Sequence, residues 1–174
     1  AGYDLSATSV QRAIPIGKKN DLITQADWMI RSSLLYARHG INRAAYYQLY
    51  DTDPNGHSGV FGSSGFVADK QRRPVADYFF QIKNLMGKYR YFNTVKNDPI
   101  VDIYKLGNKS MFVLVVPDEI DRREDYELDL LGAKKVIIYT LNPGFDHMIK
   151  KEVDVPNGKL KITVTETPVF VETI

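Results

Sequence analysis

A chain of 174 residues with a formal net charge of +2 can bury a hydrophobic core as one large domain or two small ones. Its densest basic runs, Lys18-Lys19 and Lys70 to Arg73, are short, and we interpret both as solvated surface, so nucleic acid is not expected as the main partner. Cysteine is absent, which excludes disulfides and thiolate metal sites, and no run approaches the roughly 20 apolar residues of a membrane-spanning helix.

The first 24 residues predict a long loop, because glycine, proline, serine and asparagine punctuate them throughout. They begin Ala1-Gly2-Tyr3, without an initiator methionine or a signal-peptide pattern. We therefore expect a processed chain, a recombinant piece or a part of something longer.

The next stretch predicts a helix followed by a strand. Apolar residues recur at near-helical spacing, Gly40 stands where a helix C-terminal cap belongs, and Thr24 or Asp21 can cap the start. Residues 41–50 contain neither proline nor glycine and are half aromatic or aliphatic. They run into the turn residues 51–56, so we predict a strand that ends there.

A second long polar loop is predicted for residues 51–73, and a second helix follows it. Pro74 suits the first helical position, and Asp77 lies in the first turn, where a negative charge is favourable. The pattern predicts a helix up to Gly87 or Tyr89. Its apolar face contains Phe79, Ile82, Leu85 and Met86.

From about Arg90 onward the pattern changes to short alternating or β-branched runs separated by turn residues. These runs are residues 98–106, 109–116, 126–130, 133–141, 147–155, 159–165 and 169–171. Seven or eight strands at this spacing indicate an antiparallel sandwich or barrel. We place a boundary near residues 89–93, which gives predicted domains 1–90 and 91–174. One strand and two helices cannot close a sheet, so the first domain is predicted to be incomplete.

The order of these pieces resembles the C-terminal end of a clan A glycoside hydrolase, in which the last units of a (β/α)8 barrel precede a β-sandwich. Ala1-Gly2-Tyr3-Asp4 resembles the tail of the seventh barrel strand, and Tyr46 to Asp51 (YYQLYD) resembles the Tyr-Trp-x-Phe-x-Asp pattern of the eighth. Residues 164–172 resemble the last sandwich strand. The resemblance implies an α+β protein, with an incomplete barrel segment of helix, strand and helix followed by an antiparallel β-sandwich of about seven or eight strands.

The resemblance implies a glycosidase whose chemistry lies outside this chain. Retaining glycosidases use two carboxylates about 5–5.5 Å apart, and the family supplies both as glutamates at barrel strand ends. Residues 1–90 contain no glutamate. We therefore expect the chain to be inactive alone, and to contribute sugar-subsite residues and a bracing sandwich to a parent enzyme with an additional N-terminal barrel portion. We also expect an exported bacterial protein, periplasmic or extracellular.

Candidate sugar contacts come from the loops and strand ends of the first domain. By the resemblance, Tyr47 holds the place of the tryptophan that stacks on the sugar. Side chains alternate along a strand, so Tyr46 and Tyr50 share a direction that Tyr47 does not, and at least one tyrosine is ordinary packing. Tyr3 and Asp4 could instead form a local turn. The predicted contacts are Tyr3, Asp4, Tyr47, Gln48, Tyr50, Asp51 and His57.

No cofactor or metal is predicted. The three histidines are far apart in the sequence and have no metal-ligand spacing, and two arginines interrupt the acidic run 118–125, which we interpret as a solvated connection. The rival function is a non-catalytic module that binds carbohydrate or protein through the sandwich. Such a module needs exposed aromatic residues, although core packing is the stronger interpretation for most of the candidates. They are Tyr104, Tyr126, Tyr139 and Phe145.

Overall fold

The structure is a computed structural model that describes residues 2–6, 9–52 and 61–174. In these ranges it contains two helices and ten strands in antiparallel sheets, which confirms the α+β class. The chain divides into two compact units. Unit 1 runs up to Leu85 and includes Asn142–Asp146, and unit 2 comprises Met86–Leu141 and His147–Ile174. The sequence pattern does not predict that Asn142–Asp146 belongs to unit 1.

Helix α1 spans Asp21–Arg38, so it begins earlier than the sequence pattern predicts. The Asn20 side chain caps it by accepting the Ile23 N–H at 2.9 Å, a role that the sequence pattern predicts for Thr24 or Asp21. Thr24 is instead buried inside the helix. At the other end, Gly40 has a φ angle of 71°, which suits glycine, and closes the helix as predicted.

Residues 41–50 do not form the predicted strand. Tyr50 makes an isolated parallel bridge with Val67, and the Val67 N–H donates to the Leu49 carbonyl at 2.9 Å. A strand needs backbone partners along its length. Here the Ile41 N–H donates back to the Tyr36 carbonyl of α1, and the Gln48 carbonyl accepts the Phe66 N–H at 3.0 Å. The prediction that residues 41–50 form a paired strand is therefore wrong.

The chain then forms a small hairpin and the second helix. Strands β1 (Val67–Ala68) and β2 (Gln71–Arg72) flank a tight turn in which Asp69 and Lys70 have positive φ angles of 48° and 64°. Helix α2 spans Pro74–Met86, which confirms the predicted start. It ends at Met86, before the predicted end at Gly87 or Tyr89. Neither helix found in the described part of the chain is long and apolar enough to cross a membrane.

The Asn142–Asp146 segment is hydrogen-bonded to α2 inside unit 1. The Gln81 amide nitrogen donates to the Asn142 and Phe145 carbonyls at 2.7 Å each, and its oxygen accepts the Asn142 N–H at 3.0 Å. The Asp77 carboxylate accepts the Gly144 N–H at 2.7 Å. Since Gln81 and Asp77 are both buried, these contacts explain why the segment belongs to unit 1.

Unit 2 contains eight strands in two antiparallel sheets. All seven predicted runs are strands, and the missed strand is β3, in which two register shifts interrupt the alternation of side chains. One sheet has the order β3-β4-β5-β10-β7-β8, and the other pairs β6 with β9. The strands are β3 Arg90–Asn97, β4 Ile100–Leu106, β5 Lys109–Val115, β6 Glu124–Asp129, β7 Lys135–Thr140, β8 Ile149–Asp154, β9 Lys159–Val164 and β10 Val169–Thr173.

The core of unit 2 is apolar and receives side chains from both sheets. The six-stranded sheet contributes Phe112 and Leu114, and the two-stranded sheet contributes Leu128 and Val164, all at most 1% exposed. Full burial of one such side chain contributes about 1.5–3 kcal/mol. Unit 2 is therefore stabilised mainly by apolar burial and by the hydrogen bonds of its strand ladders.

Candidate functional site

The predicted tyrosines that remain accessible are Tyr47 and Tyr50, which are 52% and 61% exposed. The Tyr47 ring lies edge-on to the Phe61 ring, with centroids 5.7 Å apart and planes at 69°. The Gln48 amide donates to the Phe61 carbonyl at 2.8 Å, and the Tyr47–Gln48 peptide bond is cis. The structure thus brings two predicted contacts, Tyr47 and Gln48, together with Phe61, which the sequence pattern does not single out.

Asp4 lies inside unit 1 and is fully buried. Its carboxylate accepts the backbone N–H of Phe61, the N–H of Ser63 at 3.1 Å and the Ser63 hydroxyl at 3.2 Å. The same hydroxyl oxygen accepts the N–H groups of Leu5 and Ser6 at 3.0 and 2.8 Å. Asp4 therefore anchors residues 61–63 and does not face a ligand from solvent.

Asp51 forms a buried ion pair with Arg73, in which the side chains are 2% and 10% exposed. The contact is bidentate, with Nη1–Oδ1 and Nη2–Oδ2 distances of 2.9 and 2.5 Å. Arg73 also donates to the carbonyls of Ser63 and Gly65 at 2.8 Å each. The prediction that the basic run 70–73 is entirely solvated surface is therefore wrong for Arg73. The Asp51 carboxylate and the carbonyls of Ser63 and Gly65 pair with the Arg73 guanidinium and hold residues 63–65 in place.

Gly65 makes this packing possible. A Cβ atom there would overlap the Asp51 carboxylate and lie 2.5 Å from the Asp51 nitrogen and 2.8 Å from the Tyr50 carbonyl carbon. The Gly65 N–H donates to Asp51 Oδ1 at 2.7 Å. Residues 50–51 and 65 can therefore approach this closely only because position 65 carries no side chain.

Tyr3 and Tyr46 both contact α1. The Tyr3 hydroxyl is 3.1 Å from Ser32 Oγ, and its ring lies edge-on to Trp28 at 5.2 Å. The Tyr46 hydroxyl is 2.5 Å from Ser33 Oγ, and burial raises the pKa of Tyr46. These contacts give both tyrosines a packing role within unit 1. The remaining candidate, His57, lies outside the described residues.

Over residues 2–6, 9–52 and 61–174, no group of three or more histidine, aspartate or glutamate side chains is placed to hold a metal ion. In the acidic run 118–125, Arg122 pairs with three carboxylates, including Asp118 at 2.5 Å, Glu124 at 2.6 Å and Asp98. Arginine thus occupies the place between these carboxylates that a cation would need.

Unit 2 contains a second polar cluster, centred on Glu172. The hydroxyls of Tyr89 and Tyr139 each donate to this carboxylate at 2.8 Å, and Lys109 Nζ lies 3.6 Å away. Burial, followed by the bond to Glu172, raises the pKa of both tyrosines. For Glu172, burial alone would raise the pKa, but the two tyrosine hydrogen bonds and the Lys109 charge outweigh it and lower the pKa.

Of the four aromatic residues proposed for a binding module, Phe145 is 53% exposed and lies in unit 1, whereas the other three lie in unit 2. Tyr104 and Tyr139 are 3% and 6% exposed, whereas Tyr126 is half-buried. Lys96 Nζ lies 4.8 Å from the Tyr126 ring centroid. Tyr126 also lines a pocket of about 440 Å³ on the β6–β9 sheet. The pocket residues are Asp125, Tyr126, Glu127, Lys161, Ile162 and Thr163.

Solved structures of glycoside hydrolases share the fold. A family 39 glycoside hydrolase from the gut symbiont Bacteroides cellulosilyticus WH2 has a TM-score of 0.68 at 14% identity, covering 88% of this chain and 31% of that one. A family 30 endoxylanase from Clostridium papyrosolvens C71 has a TM-score of 0.52 at 17% identity, covering 88% and 38%. A family 30 subfamily 8 xylanase from Clostridium acetobutylicum has a TM-score of 0.56 at 11% identity, covering 86% and 39%.

No family model and no curated protein sequence matches the chain. Because all three identities are 17% or lower, the comparison with solved structures shows a shared fold and nothing more specific. The chain spans between 31% and 39% of the length of these enzymes. The predicted resemblance to a portion of a glycoside hydrolase is confirmed in this sense.

Proposed function

We propose that the chain is the C-terminal part of a glycoside hydrolase that acts on a poly- or oligosaccharide. The observation that carries this proposal is that 86–88% of the chain matches only about a third of each of three glycoside hydrolases. In the proposal, unit 1 is the end of a catalytic (β/α)8 barrel and unit 2 is its β-sandwich accessory domain. Two of the similar enzymes are xylanases, so xylan is the first substrate to test.

Within unit 1, the proposed sugar contacts are Tyr47, Tyr50 and Gln48. An exposed aromatic ring offers an apolar face to the C–H groups of a sugar, while an amide can bond a hydroxyl group. Asp4 and Asp51 support this surface from inside, because both carboxylates are buried and hydrogen-bonded to the 61–65 loop. They position the loop and take no direct part in binding.

The proposed catalytic carboxylates belong to another part of the parent enzyme. A retaining glycosidase needs one carboxylate free to attack the sugar and another that exchanges a proton with the leaving group. Residues 1–90 contain no glutamate, and the Asp51 carboxylate is neutralised by Arg73. The 174-residue chain should therefore have no glycosidase activity.

This proposal is tested by comparing the 174-residue chain with a longer product of the same gene that includes the preceding barrel units. We expect the longer protein to hydrolyse xylan or an aryl glycoside and the short chain to release no product. Replacing Tyr47 by alanine in the longer protein should lower kcat/KM by about 10-fold or more, since a lost aromatic contact is worth about 0.5–1.5 kcal/mol beyond its buried area. Tyr47→Phe, which keeps the ring, is the matched control. Turnover by the short chain would contradict the proposal.

A second candidate function is a non-catalytic binding module, and the pocket on the β6–β9 sheet is the observation that favours it. Its carboxylate, ammonium and hydroxyl groups could bond sugar hydroxyls, but its one aromatic residue, Tyr126, is half-buried. Affinity electrophoresis against plant and algal glycans separates the two functions. A module should be retained by a glycan and lose retention with Lys161→Ala, whereas a lone subsite of a barrel is too weak to cause retention.

A further inference from the structure

Phe61 has a backbone conformation that residues other than glycine rarely adopt. Its φ angle of 69° lies in the left-handed region, where a Cβ atom crowds the neighbouring carbonyl. Contacts on both sides hold it there, since the Asp4 carboxylate accepts its N–H and the Gln48 amide donates to its carbonyl at 2.8 Å. The Ser64 hydroxyl donates to the same carbonyl at 3.0 Å. Strain that several contacts maintain indicates a functional reason for the position of the side chain.

The Phe61 and Tyr47 rings meet as a corner. Their planes form an angle of 69°, so one ring presents an edge to the other and the two do not stack in parallel. Gly2 closes one side, because a Cβ atom there would overlap the Tyr47 carbonyl oxygen and approach the Phe61 ring to 3.6 Å. Tyr47 nevertheless remains 52% exposed. The corner is therefore packed against Gly2 on one side, while the Tyr47 side chain remains accessible to solvent.

The support behind this corner is polar and buried. Asp4 and Ser63 are 0% and 2% exposed, and the Asp51–Arg73 ion pair fixes the same loop two residues further on, at Gly65. Buried polar networks of this kind require a single geometry, because any shift leaves charges or donors unpaired. The loop thus carries Phe61 in one defined position, which is what a stacking surface needs.

We propose that Phe61 and Tyr47 together form one sugar-binding corner that holds a neutral pyranose ring, with Asp4 as the residue that positions Phe61. The inference rests on the proposed function and adds to it a second aromatic contact and its support. One aromatic face stacks on the C–H face of the sugar, and the other ring bounds its edge. Neither ring carries charge and Asp4 is buried, so the corner suits an uncharged sugar.

The first test measures strain, independently of any ligand. Phe61→Ala removes the ring but keeps a Cβ atom at the strained position, whereas Phe61→Gly removes both. The Tm of Phe61→Gly should exceed that of Phe61→Ala by about 2–4 °C, monitored by Trp28 fluorescence. If alanine is equally stable or more stable, Phe61 is not strained and the positioning argument fails.

The second test measures binding by titrating the 15N-labelled chain with xylohexaose and, in parallel, cellohexaose. The wild type should bind one of them with a Kd in the millimolar range, about −4 kcal/mol, as expected for a single subsite. Phe61→Gly, Phe61→Ala and Tyr47→Leu should each weaken binding at least about 5-fold. Phe61→Tyr should bind like the wild type, and so should Phe92→Leu, which changes an exposed phenylalanine of unit 2.

Asp4→Asn tests the positioning role. Asparagine puts an N–H group where Asp4 accepts hydrogen bonds, so the nuclear Overhauser effect between the Phe61 and Tyr47 rings should disappear together with binding. Retention of this ring contact would overturn the role of Asp4. If the Phe61 variants bind sugar normally while Tyr47→Leu binds it more weakly, Phe61 is not part of the binding surface. That result would overturn the proposed corner and leave the proposed function intact. Absence of binding by the wild type would overturn the corner and the sugar contacts of unit 1, while the turnover assay of the longer protein still tests the glycosidase assignment.

Discussion

Unit 2 and the region of unit 1 around Tyr47 are stabilised by different chemistry. In unit 2, apolar side chains from two sheets meet in one core, and 5- to 8-residue strands pair along most of their length. In unit 1, the region around Tyr47 is instead fixed by buried carboxylates, an ion pair and a glycine. Apolar cores tolerate volume-conserving changes, whereas buried charges do not tolerate the loss of a partner. The comparison indicates that the region around Tyr47 has a defined loop geometry and should tolerate substitutions less well than the core of unit 2.

The largest effect in this comparison is expected from Arg73→Met in unit 1. It leaves the Asp51 carboxylate buried without its partner, which should lower the free energy of unfolding of unit 1 by about 3–5 kcal/mol. Urea titration followed by Trp28 fluorescence reports on unit 1, because the only tryptophan of the chain lies in α1. Arg43→Met, at an exposed position, is the matched control and should change stability by less than about 0.5 kcal/mol. A loss below about 1 kcal/mol for Arg73→Met would refute the importance of the pair.

In unit 2 the corresponding change is Leu114→Ala, at a fully buried position of β5. Removing most of this side chain leaves a cavity and should cost about 3 kcal/mol, within the usual range for buried leucine. Amide hydrogen exchange in β5 and β10 measures it. Leu131→Ala, at a position 75% exposed, should leave the exchange rates nearly unchanged. Equal effects of the two variants would mean that the apolar core does not dominate unit 2.

Gly65→Ala sharpens the comparison, because it tests close packing in unit 1 without removing a charge. The added Cβ atom would meet backbone atoms of residues 50 and 51 that cannot rotate away, and should cost about 1–3 kcal/mol. Gly40→Ala is the control, since a Cβ atom there meets nothing within 4 Å and only the φ angle of 71° is unfavourable. The Trp28 unfolding curve should shift more for Gly65→Ala. A larger shift for Gly40→Ala would contradict the close approach.

The smallest expected effect is the pH dependence of unit 2 through Glu172. Because its pKa is lower in the folded than in the unfolded state, its contribution is present above the unfolded pKa of about 4.3 and is lost as the pH falls through the folded pKa. Glu172→Gln should cost about 1 kcal/mol at pH 7, the net value of one hydrogen bond, and should flatten this acid dependence. Hydrogen exchange in β10 at pH 7 and pH 3.5 measures both. An unchanged acid dependence in the variant would exclude Glu172 as its source.

Much of the fold is readable from local sequence patterns. Pro74 and Gly40 mark helix ends because their backbone preferences act locally, and the alternation in unit 2 predicts seven strands. The failures arise from non-local structure. Strand β3 was missed because its bulges depend on pairing with β4, and residues 41–50 have strand composition but few partners.

The candidate site was predicted less completely, for the same reason. The sequence identifies Tyr47 as aromatic and Asp51 as acidic, but it does not show that Arg73, 22 positions later, neutralises Asp51. The sequence predicts Asp4 as a sugar contact, because nothing local reveals that residues 61–63 hydrogen-bond to its carboxylate. One sequence feature could have pointed to Phe61. It lies immediately before the small, turn-forming run Gly62-Ser63-Ser64-Gly65.

The central claim is that sugar binds to unit 1 at Tyr47 and not to the β6–β9 pocket of unit 2. Mapping of backbone amide shifts during a xylohexaose titration of the 174-residue chain tests it most directly. We expect shifts at Tyr47, Gln48 and Phe61, with Tyr126 and Lys161 unchanged. Shifts at Tyr126 and Lys161 with none at Tyr47 would exclude sugar binding at unit 1 and favour a binding module.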